Sequence, residues 1–392
     1  MIKLPADGGG LLTALRPAWA VVDLDALDHN LAYLRRQVEP AGMLAVIKAD
    51  AYGHGAPIVA RTLESAGVDW LGVALAEEGV ELRREGVTTP ILVLGTSQPG
   101  QLALYQRYEL TPTISSRDQL ALWTAWSGLG STPRPVHLKV DVGMNRLGIS
   151  PEDFPRTLSE IRAHPGLELA GLLSHLAEAD DLNSPRTAEQ EQSFVEILDR
   201  LDDGERGSLQ IHLANSAAAL HHPDTRHTLV RTGLTLFGID PAGQETGLQP
   251  VMSVRSRVVQ TREVPAGARP GYGGTWTASR KSRLGVVPVG YADGYSWRLS
   301  NRAEMLVDGG RVPVVGAVSM DMTLIDLTET AAGLGEEVVL LGRQGDEELG
   351  AQEVAAWAGT IAYEVLCVLG LRLPRRYQRA GRDVAFDSRF TR

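Results

Sequence analysis

The sequence has little cysteine and no excess of positive charge. Its one cysteine, Cys367, excludes a disulfide within the chain and fits a reducing compartment. Cys367 stands in an apolar, helix-like stretch, which predicts a buried and unreactive thiol. The formal net charge of −10 disfavours nucleic acid and anionic membrane surfaces as partners, because both bind positive protein surfaces. A local cationic pocket for a small anion is still compatible with that charge.

Long apolar runs are also missing. No window approaches the ~20 apolar residues that a membrane-spanning helix needs. The stretch MIKLPADGGGLLTALRPAW is interrupted by Pro5 and three glycines before an apolar segment can form, so it predicts no signal peptide. These absences predict a cytoplasmic protein. With 392 residues, 43% of them hydrophobic and 22% charged, the chain has a globular composition and room for two domains.

Residues 43–232 alternate between short apolar runs and charged, amphipathic stretches of helical period. A helix-like segment, DLDALDHNLAYLRRQV, precedes the first run. Eight strand-like runs followed by helix-like stretches are the number that closes a parallel barrel. The pattern predicts an α/β fold with an N-terminal (β/α)8 TIM-like barrel. The eight runs are MLAVIKA, DWLGVAL, TPILVLG, LTPTIS, PVHLKVDV, LELAGLLSH, SLQIHLAN and HTLVRTG.

The pattern changes after about residue 250. Strand-like segments separated by Gly, Pro and Asp turns predict a C-terminal, mostly β domain. A DGG turn at residues 308–310 predicts a β-hairpin, and the stretch 351–370 predicts one helix. The loop-like segment GIDPAGQETGLQP marks the boundary. We therefore predict domains at residues 18–250 and 251–392, with residues 1–17 either a leader or packed on the β domain.

Reactive side chains stand where the predicted barrel strands end. In a βα-barrel, the active site collects at the carboxyl ends of the strands. The first run ends in Lys48, and further cationic side chains follow the later runs. Together they form a cationic pocket, which favours an anionic ligand. The later residues are Lys139, Asp141 and Arg146 after the fifth run, His175 after the sixth, His212, Asn215 and Ser216 after the seventh, and Arg231 and Gly233 after the eighth.

The loops after the last two barrel strands predict a phosphate site. The segment ANSAAAL can begin a helix with Ser216 near its N-terminus, where backbone N–H groups favour phosphate, and Gly233 permits a close approach of the backbone. A lysine beside a phosphate site is economically explained by a Schiff base with pyridoxal 5′-phosphate (PLP). The amine of Lys48 must then be partly desolvated and near positive charge, which Arg146 and Arg231 could supply.

Eight motifs stand in order along nearly the whole chain. They are AVIKADAYGHG, KVDVGMNRLGI, SHLAEAD, HLANSAAAL, VRTGLTLFGID, PVGYADGY, VSMDM and TIAYEVLC. These motifs resemble those of the alanine racemase family, and the first is similar to the PLP-lysine signature of that family. The resemblance implies a βα-barrel followed by a β domain, and a head-to-tail homodimer with shared active sites. It also implies a racemase that interconverts L-alanine and D-alanine, and that supplies D-alanine for peptidoglycan.

The resemblance assigns the catalytic roles. Lys48 is the Schiff-base lysine and one of two acid/base catalysts. Tyr291, in GYADGY, is the opposing catalyst and comes from the partner subunit. Arg146 and Met320, the latter also from the partner, contact the substrate carboxylate and the O3′ region of the cofactor. Two catalysts suit racemisation, because a proton leaves one face of Cα and another arrives at the opposite face.

The resemblance also implies how the cofactor is bound. Arg231 donates to the pyridine nitrogen. Because an arginine cannot accept a proton from that nitrogen, the ring is a weaker electron sink. We expect the weaker electron sink to limit transamination. Lys139 matches a lysine that is carbamylated in some relatives, where it orients the arginine matched by Arg146. Tyr52, Tyr363, Ser216 and the backbone around Gly233 reach the phosphate with Asn215 beside them, while His175 lies near Tyr291 and His212 near Arg231.

Other interpretations of these residues stay open. His175 and His212 are compatible with core histidines, Arg146 with an ion pair to Asp141, Met320 with core packing, and Lys139 with an unmodified amine. No metal site is predicted, because His221, His222 and His227 lie in a polar loop without ligand spacing. Some relatives carry an arginine of the access channel at the position of Ala317 and a cysteine at the position of Ser319. These differences leave open how the substrate enters and how strictly it is selected.

The alternative functions share the cofactor. One is a broader serine/alanine racemase, and another is a PLP-dependent decarboxylase of the same architecture, against which GYADGY and SMDM argue. A PLP carrier built on the barrel alone is the third, and the predicted second domain argues against it. Racemase activity toward alanine is the prediction that accounts for all eight motifs.

Overall fold

The structure, a computed structural model, describes residues 16–126, 128 and 132–388. The chain divides into two compact units. Of the described residues, those within 27–51 and 56–249 form one unit, here called the barrel unit, and those within 16–26, 52–55 and 250–388 form the other, the C-terminal unit. All but the last two residues of the predicted leader, residues 1–17, lie outside the described residues.

Eight parallel strands of the barrel unit form a nearly closed barrel. They are β2 (Gly42–Val46), β3 (Trp70–Val73), β4 (Ile91–Val93), β5 (Leu110–Ile114), β6 (Arg134–Lys139), β7 (Leu167–Leu173), β8 (Gln210–His212) and β9 (Leu229–Thr232). Their order is β8-β7-β6-β5-β4-β3-β2-β9, which confirms the predicted fold and its eight strand runs. Between β8 and β9, the Arg231 N–H donates to Ala214 O at 3.0 Å and the Thr228 N–H to Ile211 O at 3.1 Å.

Most residues of the barrel strands are buried because both faces of the sheet are covered. β4 and β5, for example, are buried at every residue. One further helical turn, Lys48–Gly53, follows β2 and belongs to the site described below. The helices are α1 (Leu24–Val38), α2 (Ala56–Ser65), α3 (Ala76–Arg84), α4 (Leu102–Arg107), α5 (Arg117–Ala125), α6 (Phe154–Ala163), α7 (Arg186–Leu198), α8 (Asp203–Ser208) and α9 (Ser216–His221).

The C-terminal unit is built on two sheets. Its strands are β1 (Ala18–Asp23), β10 (Met252–Arg257), β11 (Gln260–Val264), β12 (Ser282–Val287), β13 (Glu304–Val307), β14 (Gly310–Pro313), β15 (Thr323–Asp326), β16 (Glu337–Gln344), β17 (Glu347–Leu349), β18 (Arg375–Arg379) and β19 (Arg382–Asp387). One sheet has the order β14-β13-β16-β10-β1-β18-β19, with β17 paired to β16, and the other has the order β11-β12-β15. The sequence patterns did not indicate β1, whose partners β10 and β18 lie more than two hundred residues away.

Two local predictions in the C-terminal unit have opposite outcomes. The predicted hairpin is confirmed, because β13 and β14 pair through a two-residue turn in which Asp308 has φ 54° and Gly309 has φ 72°. The single predicted helix is wrong. It forms α10 (Ala351–Ala358) and α11 (Ala362–Cys367), which are separated by Gly359 at φ 64°, a left-handed helix end.

Cys367 corrects another prediction. The thiol stands at the end of α11 and is exposed rather than buried, because the apolar residues of this short helix do not all face the core. In the part of the chain that the structure describes, no helix is both long and apolar enough to span a bilayer.

Candidate active site

Lys48 begins a left-handed helical turn. The four residues from Ala49 to Tyr52 have φ between 53° and 55°, a region that residues other than glycine rarely adopt. A left-handed helix costs about 1–2 kcal/mol for each such residue, so this turn depends on its surroundings. We call Lys48–Gly53 the lysine turn. Backbone strain of this kind clusters at functional sites.

Contacts inside each unit hold parts of the lysine turn. In the barrel unit, Asp50 Oδ1 accepts a hydrogen bond from the Ala56 N–H at 2.8 Å. In the C-terminal unit, Arg375 donates from Nε and Nη2 to Gly53 O at 3.1 and 2.9 Å. Gly53 has φ 80°, and a Cβ at this position would collide with Leu366 O, so the position requires glycine.

Arg231, on β9, is the centre of a buried hydrogen-bond network. Its Nη1 donates to His212 O and His212 Nδ1 at 2.6 and 3.2 Å, and its Nη2 donates to the carbonyl oxygens of Ser174 and Leu213 and to His175 Nδ1 at 2.7, 2.9 and 3.0 Å. Burial lowers the pKa of Arg231 to about 9, which keeps it cationic at neutral pH. Its Nε has no hydrogen-bond partner among the described residues, so one donor remains for another group.

The histidines around Arg231 have defined tautomers. Because a guanidinium only donates, His175 and His212 accept through Nδ1 and carry their proton on Nε2. His212 Nε2 lies 2.9 Å from Nδ1 of His137, on β6. Burial, and then the charge of Arg231, lower the pKa of His137 to about 3 and those of His175 and His212 well below their ordinary value. All three imidazoles are therefore neutral at pH 7.

His137 was not identified from the sequence. The available signal was its position two residues before Lys139 on a strand, which puts both side chains on the same face. The structure places the predicted histidines His175 and His212 in hydrogen-bond contact with Arg231.

Lys139 ends β6 and is 6% exposed. Burial, followed by the charges of Arg231 and Arg146 and a weaker effect of Lys48, lowers its pKa to about 8, against an opposing effect of Asp141. The predicted cations Lys48, Arg146 and Arg231 therefore all act electrostatically on Lys139. A substantial fraction of Lys139 is thus neutral slightly above physiological pH, which is the state in which an amine reacts with carbon dioxide.

Asp141 serves the loop after β6. Its Oδ1 accepts hydrogen bonds from three backbone N–H groups, those of Gly143 and Met144 at 2.9 Å and that of Asn145 at 3.1 Å. Among the described residues Arg146 forms no ion pair with this carboxylate, and its side chain is exposed. The alternative of a structural Asp141–Arg146 pair is therefore not what the structure contains.

The predicted phosphate residues of the barrel unit, Asn215, Ser216 and Gly233, lie together. Asn215 caps α9 by accepting from the Ala218 N–H at 3.1 Å. Ser216 is the first residue of α9, and its Oγ accepts from the Gly233 N–H at 2.8 Å and from Thr235 Oγ1 at 3.3 Å. The Ser216 hydroxyl thus joins the loops that follow β8 and β9. Thr235, which the sequence analysis missed, completes this connection.

Tyr52 and Tyr363 form a pair in the C-terminal unit. Their ring centroids are 6.2 Å apart with the planes at 46°. Burial, and then the neighbouring Tyr363 and Cys367, raise the pKa of the Tyr52 phenol above its ordinary value. The Tyr52 hydroxyl therefore stays protonated and can donate a hydrogen bond to an anion.

Tyr291 and Met320 are also neighbours in the C-terminal unit. The Tyr291 N–H donates to Ser319 O at 3.0 Å and the Ala292 N–H to Met320 O at 3.1 Å. The side chains of Tyr291 and Met320 are 45% and 52% exposed, respectively. Met320 is therefore not part of the core of its own unit.

Tyr272 is a second exposed tyrosine of this region, which the sequence analysis did not single out. It lies between Gly271 at φ 84° and Gly273 at φ 69° and is 77% exposed. A Cβ on Gly271 would lie 3.8 Å from the backbone nitrogen of Ala317, so this turn is close to the loop that leads to Met320. The GYGG segment, which combines an aromatic residue with flanking turn glycines, was the available signal.

The three histidines of the polar loop have separate partners. His221 contacts Asp240 at 2.7 Å, His222 contacts Ala179 O at 3.1 Å, and His227 contacts Glu191 at 3.3 Å. Within residues 16–126, 128 and 132–388, no group of three His, Cys, Asp or Glu side chains is arranged to hold a metal ion.

Comparison with known proteins defines the family. The family model of the alanine racemase N-terminal domain matches residues 22–241, and that of the alanine racemase C-terminal domain matches residues 251–377. The chain belongs to the alanine racemase family. It is 45% identical over 380 residues to the alanine racemase of Sorangium cellulosum, covering 93% of this chain and all of that one. Identity to the alanine racemase of Symbiobacterium thermophilum is 41% over 372 residues, covering 93% and 98% of the two chains.

Solved alanine racemase structures have the same fold. The enzyme of Bacillus anthracis with bound L-Ala-P has a TM-score of 0.89 at 33% identity and covers 96% of this chain and 99% of its own. The enzyme of Bartonella henselae with covalently bound pyridoxal phosphate has a TM-score of 0.85 at 29% identity, covering 93% and 100%. The alanine racemase fold thus extends over nearly the whole chain.

Proposed function

We propose that this chain interconverts L-alanine and D-alanine by a two-base mechanism that uses Lys48 and a tyrosine. Its family makes it a PLP-dependent amino-acid racemase. The observation that carries the proposal is the cationic cluster of the barrel unit. There Arg231 retains an Nε donor without a partner among the described residues, inside a network of neutral histidines. The charges of Arg231 and Lys48 both act on Lys139.

The residues present fit pyridoxal phosphate. Lys48 would hold it covalently, and Arg231 Nε would donate to the pyridine nitrogen. Ser216 and Gly233, with Asn215 beside them, and the hydroxyls of Tyr52 and Tyr363 would bind the phosphate. When bound, pyridoxal phosphate supplies an electron-withdrawing ring that makes the proton on the substrate Cα acidic.

The side chains of this chain then move and hold protons. Lys48 removes or returns the proton on one face of Cα, and a phenol does so on the other face. Arg231 remains protonated because its pKa of about 9 is above neutrality. His175 accepts from Arg231 through Nδ1, so its Nε2–H is free to donate to a developing phenolate. Arg146 and Met320 would hold the substrate carboxylate.

The phenol comes from the second subunit of a homodimer in this proposal. The sequence analysis assigned it to Tyr291. A phenol that reaches another subunit has to project from the surface of its own. Tyr272 is 77% exposed. Tyr291 is 45% exposed and lines a cavity of about 550 Å³ within its own unit. These exposures favour Tyr272 as the opposing base, with Tyr291 as the alternative.

Alanine is the favoured substrate, and serine is the alternative. Discrimination by one small group in an apolar pocket amounts to only ~1–3 kcal/mol, so some serine turnover is expected. A decarboxylase of the same architecture is the less favoured enzyme, because the family match covers both domains. Supply of D-alanine for peptidoglycan is the role that this activity suggests.

The test is a racemisation assay in deuterium oxide. L-Alanine is incubated with the holoenzyme while circular dichroism and deuterium at Cα are followed. We expect loss of dichroism, deuterium in both enantiomers and no carbon dioxide. Unchanged dichroism or carbon dioxide release contradicts the proposal.

Two phenylalanine variants identify the opposing base. If Tyr272 is that base, Tyr272→Phe lowers kcat by ~10²–10⁴-fold, as removal of a general acid–base catalyst does, and Tyr291→Phe lowers it much less. The reverse ranking assigns the role to Tyr291. Equal, small effects of both substitutions argue against a tyrosine base.

A further inference from the structure

The lysine turn needs a partner at its beginning. Its first residues have left-handed backbone angles, and the N–H groups in the first turn of any helix lack partners inside the helix. The Ala49 N–H, directly after Lys48, is one of these groups. It donates at 2.7 Å to Oε1 of Glu78, which lies on α3, twenty-nine residues further along the chain.

Glu78 connects two strand ends of the barrel. Its other oxygen, Oε2, accepts from the Ala74 and Leu75 N–H groups at 2.8 and 3.0 Å, which caps α3 after strand β3. Capping needs only this one oxygen. The second oxygen crosses to the lysine turn after β2, so one carboxylate fixes three backbone N–H groups on neighbouring strand ends.

We propose that Glu78 is a positioning residue that holds the lysine turn in its left-handed form and thereby presents Lys48. The role rests on the proposed function only in treating Lys48 as the reacting lysine. A hydrogen bond to a charged acceptor is stronger than one to a neutral acceptor, so it can offset the steric cost of left-handed residues at the beginning of the turn. Without the carboxylate, the beginning of the turn would return to a more common backbone conformation.

A glycine at position 49 distinguishes this role from others. Glycine adopts positive φ without steric cost, so Ala49→Gly stabilises the left-handed form independently of Glu78. If Glu78 acts by holding the backbone, the glycine compensates for its loss. If Glu78 acts through its charge on Lys48 or only as a cap of α3, the glycine does not compensate.

The experiment measures hydrogen exchange and lysine labelling in the apo-protein. Peptides spanning residues 47–54 report exchange in the lysine turn, and acetic anhydride labels Lys48 in competition with Lys281, which is an exposed internal reference. Glu78→Ala is compared with Glu77→Gln, which alters the adjacent carboxylate on the same helix. We expect Glu78→Ala to raise exchange in the turn about tenfold and Lys48 labelling at least threefold, and Glu77→Gln to change neither.

The double variant completes the test. Ala49→Gly/Glu78→Ala is expected to return both readouts to within about twofold of Ala49→Gly alone, and this background also serves if Glu78→Ala does not fold. Unchanged exchange in Glu78→Ala overturns the proposal, and so does failure of the glycine to restore protection. Because these readouts need neither cofactor nor turnover, they stay informative if Lys48 proves not to carry the cofactor, which would overturn the proposed function alone.

Discussion

Arg231 in the barrel unit and Arg375 in the C-terminal unit are both buried, and neither pairs with a carboxylate among the described residues. Arg375, 2% exposed, donates from Nε, Nη1 and Nη2 to carbonyl oxygens of Gly53, Leu369, Gly370 and Leu373. Arg231, 4% exposed, donates only from Nη1 and Nη2, and two of its acceptors are histidine nitrogens.

The difference separates an architectural cation from the one to which we assign a ligand. A buried charge without an anionic partner is costly unless its donors are satisfied. Backbone carbonyl groups accept the hydrogen bonds of the Arg375 guanidinium. By donating to Gly53 O, Arg375 fixes the end of the lysine turn. At Arg231, the spare Nε and the neutral histidines leave the charge available to a ligand.

The largest effect is expected for Arg375→Met. Loss of this side chain leaves several buried carbonyl groups without donors, and we expect the free energy of unfolding to fall by ~3–5 kcal/mol in urea titrations. Arg376→Met is the matched control, because its partner Asp383 lies in a partly exposed pair, and it should cost less than about 1 kcal/mol. Similar losses for the two variants would remove the architectural role from Arg375.

Burial, and after it the charge of Arg231, should be visible in the titration of Lys139. The pKa of Lys139 is lowered from 10.5 to about 8, so between these values the unfolded chain binds a proton that the folded chain does not. Stability therefore rises with pH through this window, by about 3 kcal/mol for this group. Urea titrations at pH 8 and 10 should show a rise that is smaller by about 2 kcal/mol in Lys139→Gln, whereas Arg375→Met should leave the rise in place. An undiminished rise in Lys139→Gln would show that Lys139 titrates normally.

The histidine network should make the barrel unit sensitive to acid. The pKa of His137 is lowered to about 3, so below its ordinary value of 6.5 the unfolded state binds the extra proton. The contribution of His137 is complete above pH 6.5 and declines as the pH falls, by about 2 kcal/mol between pH 6.5 and 5. His137→Asn retains an acceptor for His212 and should reduce this slope by about one proton. An identical slope would show that His137 titrates normally.

The smallest expected effect concerns reaction specificity. Arg231→Glu replaces a group that cannot accept a proton with one that can share it with the pyridine nitrogen, so the ring becomes a stronger electron sink. We expect pyruvate formation from alanine to rise about tenfold relative to racemisation, equivalent to about 1.4 kcal/mol in relative barrier height. Arg375→Met should leave this ratio unchanged. An unchanged ratio in Arg231→Glu would mean that Arg231 does not control the ring nitrogen.

Much of this arrangement was accessible from the sequence. The eight strand runs could be predicted because strands buried on both faces are rich in apolar residues. The site residues of the barrel stand where those runs end. The roles of Tyr52 and Tyr363 came from the resemblance to a family and not from any local pattern. Their pairing joins residues more than three hundred positions apart.

The missed features depend on distant contacts. The left-handed angles at Ala49–Tyr52 run against local preference and are held by partners such as Glu78. β1 pairs with β18 near the other end of the chain, and His137 contacts His212, which lies seventy-five positions further along the sequence. Gly359 was visible in the sequence, but a single glycine does not reveal whether a helix bends or ends there.

The most direct test of the account is the location of the cofactor. The purified protein is saturated with pyridoxal phosphate, reduced with borohydride, digested and mapped by mass spectrometry. We predict a pyridoxyl group on Lys48 alone among the four lysines Lys3, Lys48, Lys139 and Lys281. Its absence, or its presence on Lys139 or Lys281 in place of Lys48, would contradict the account.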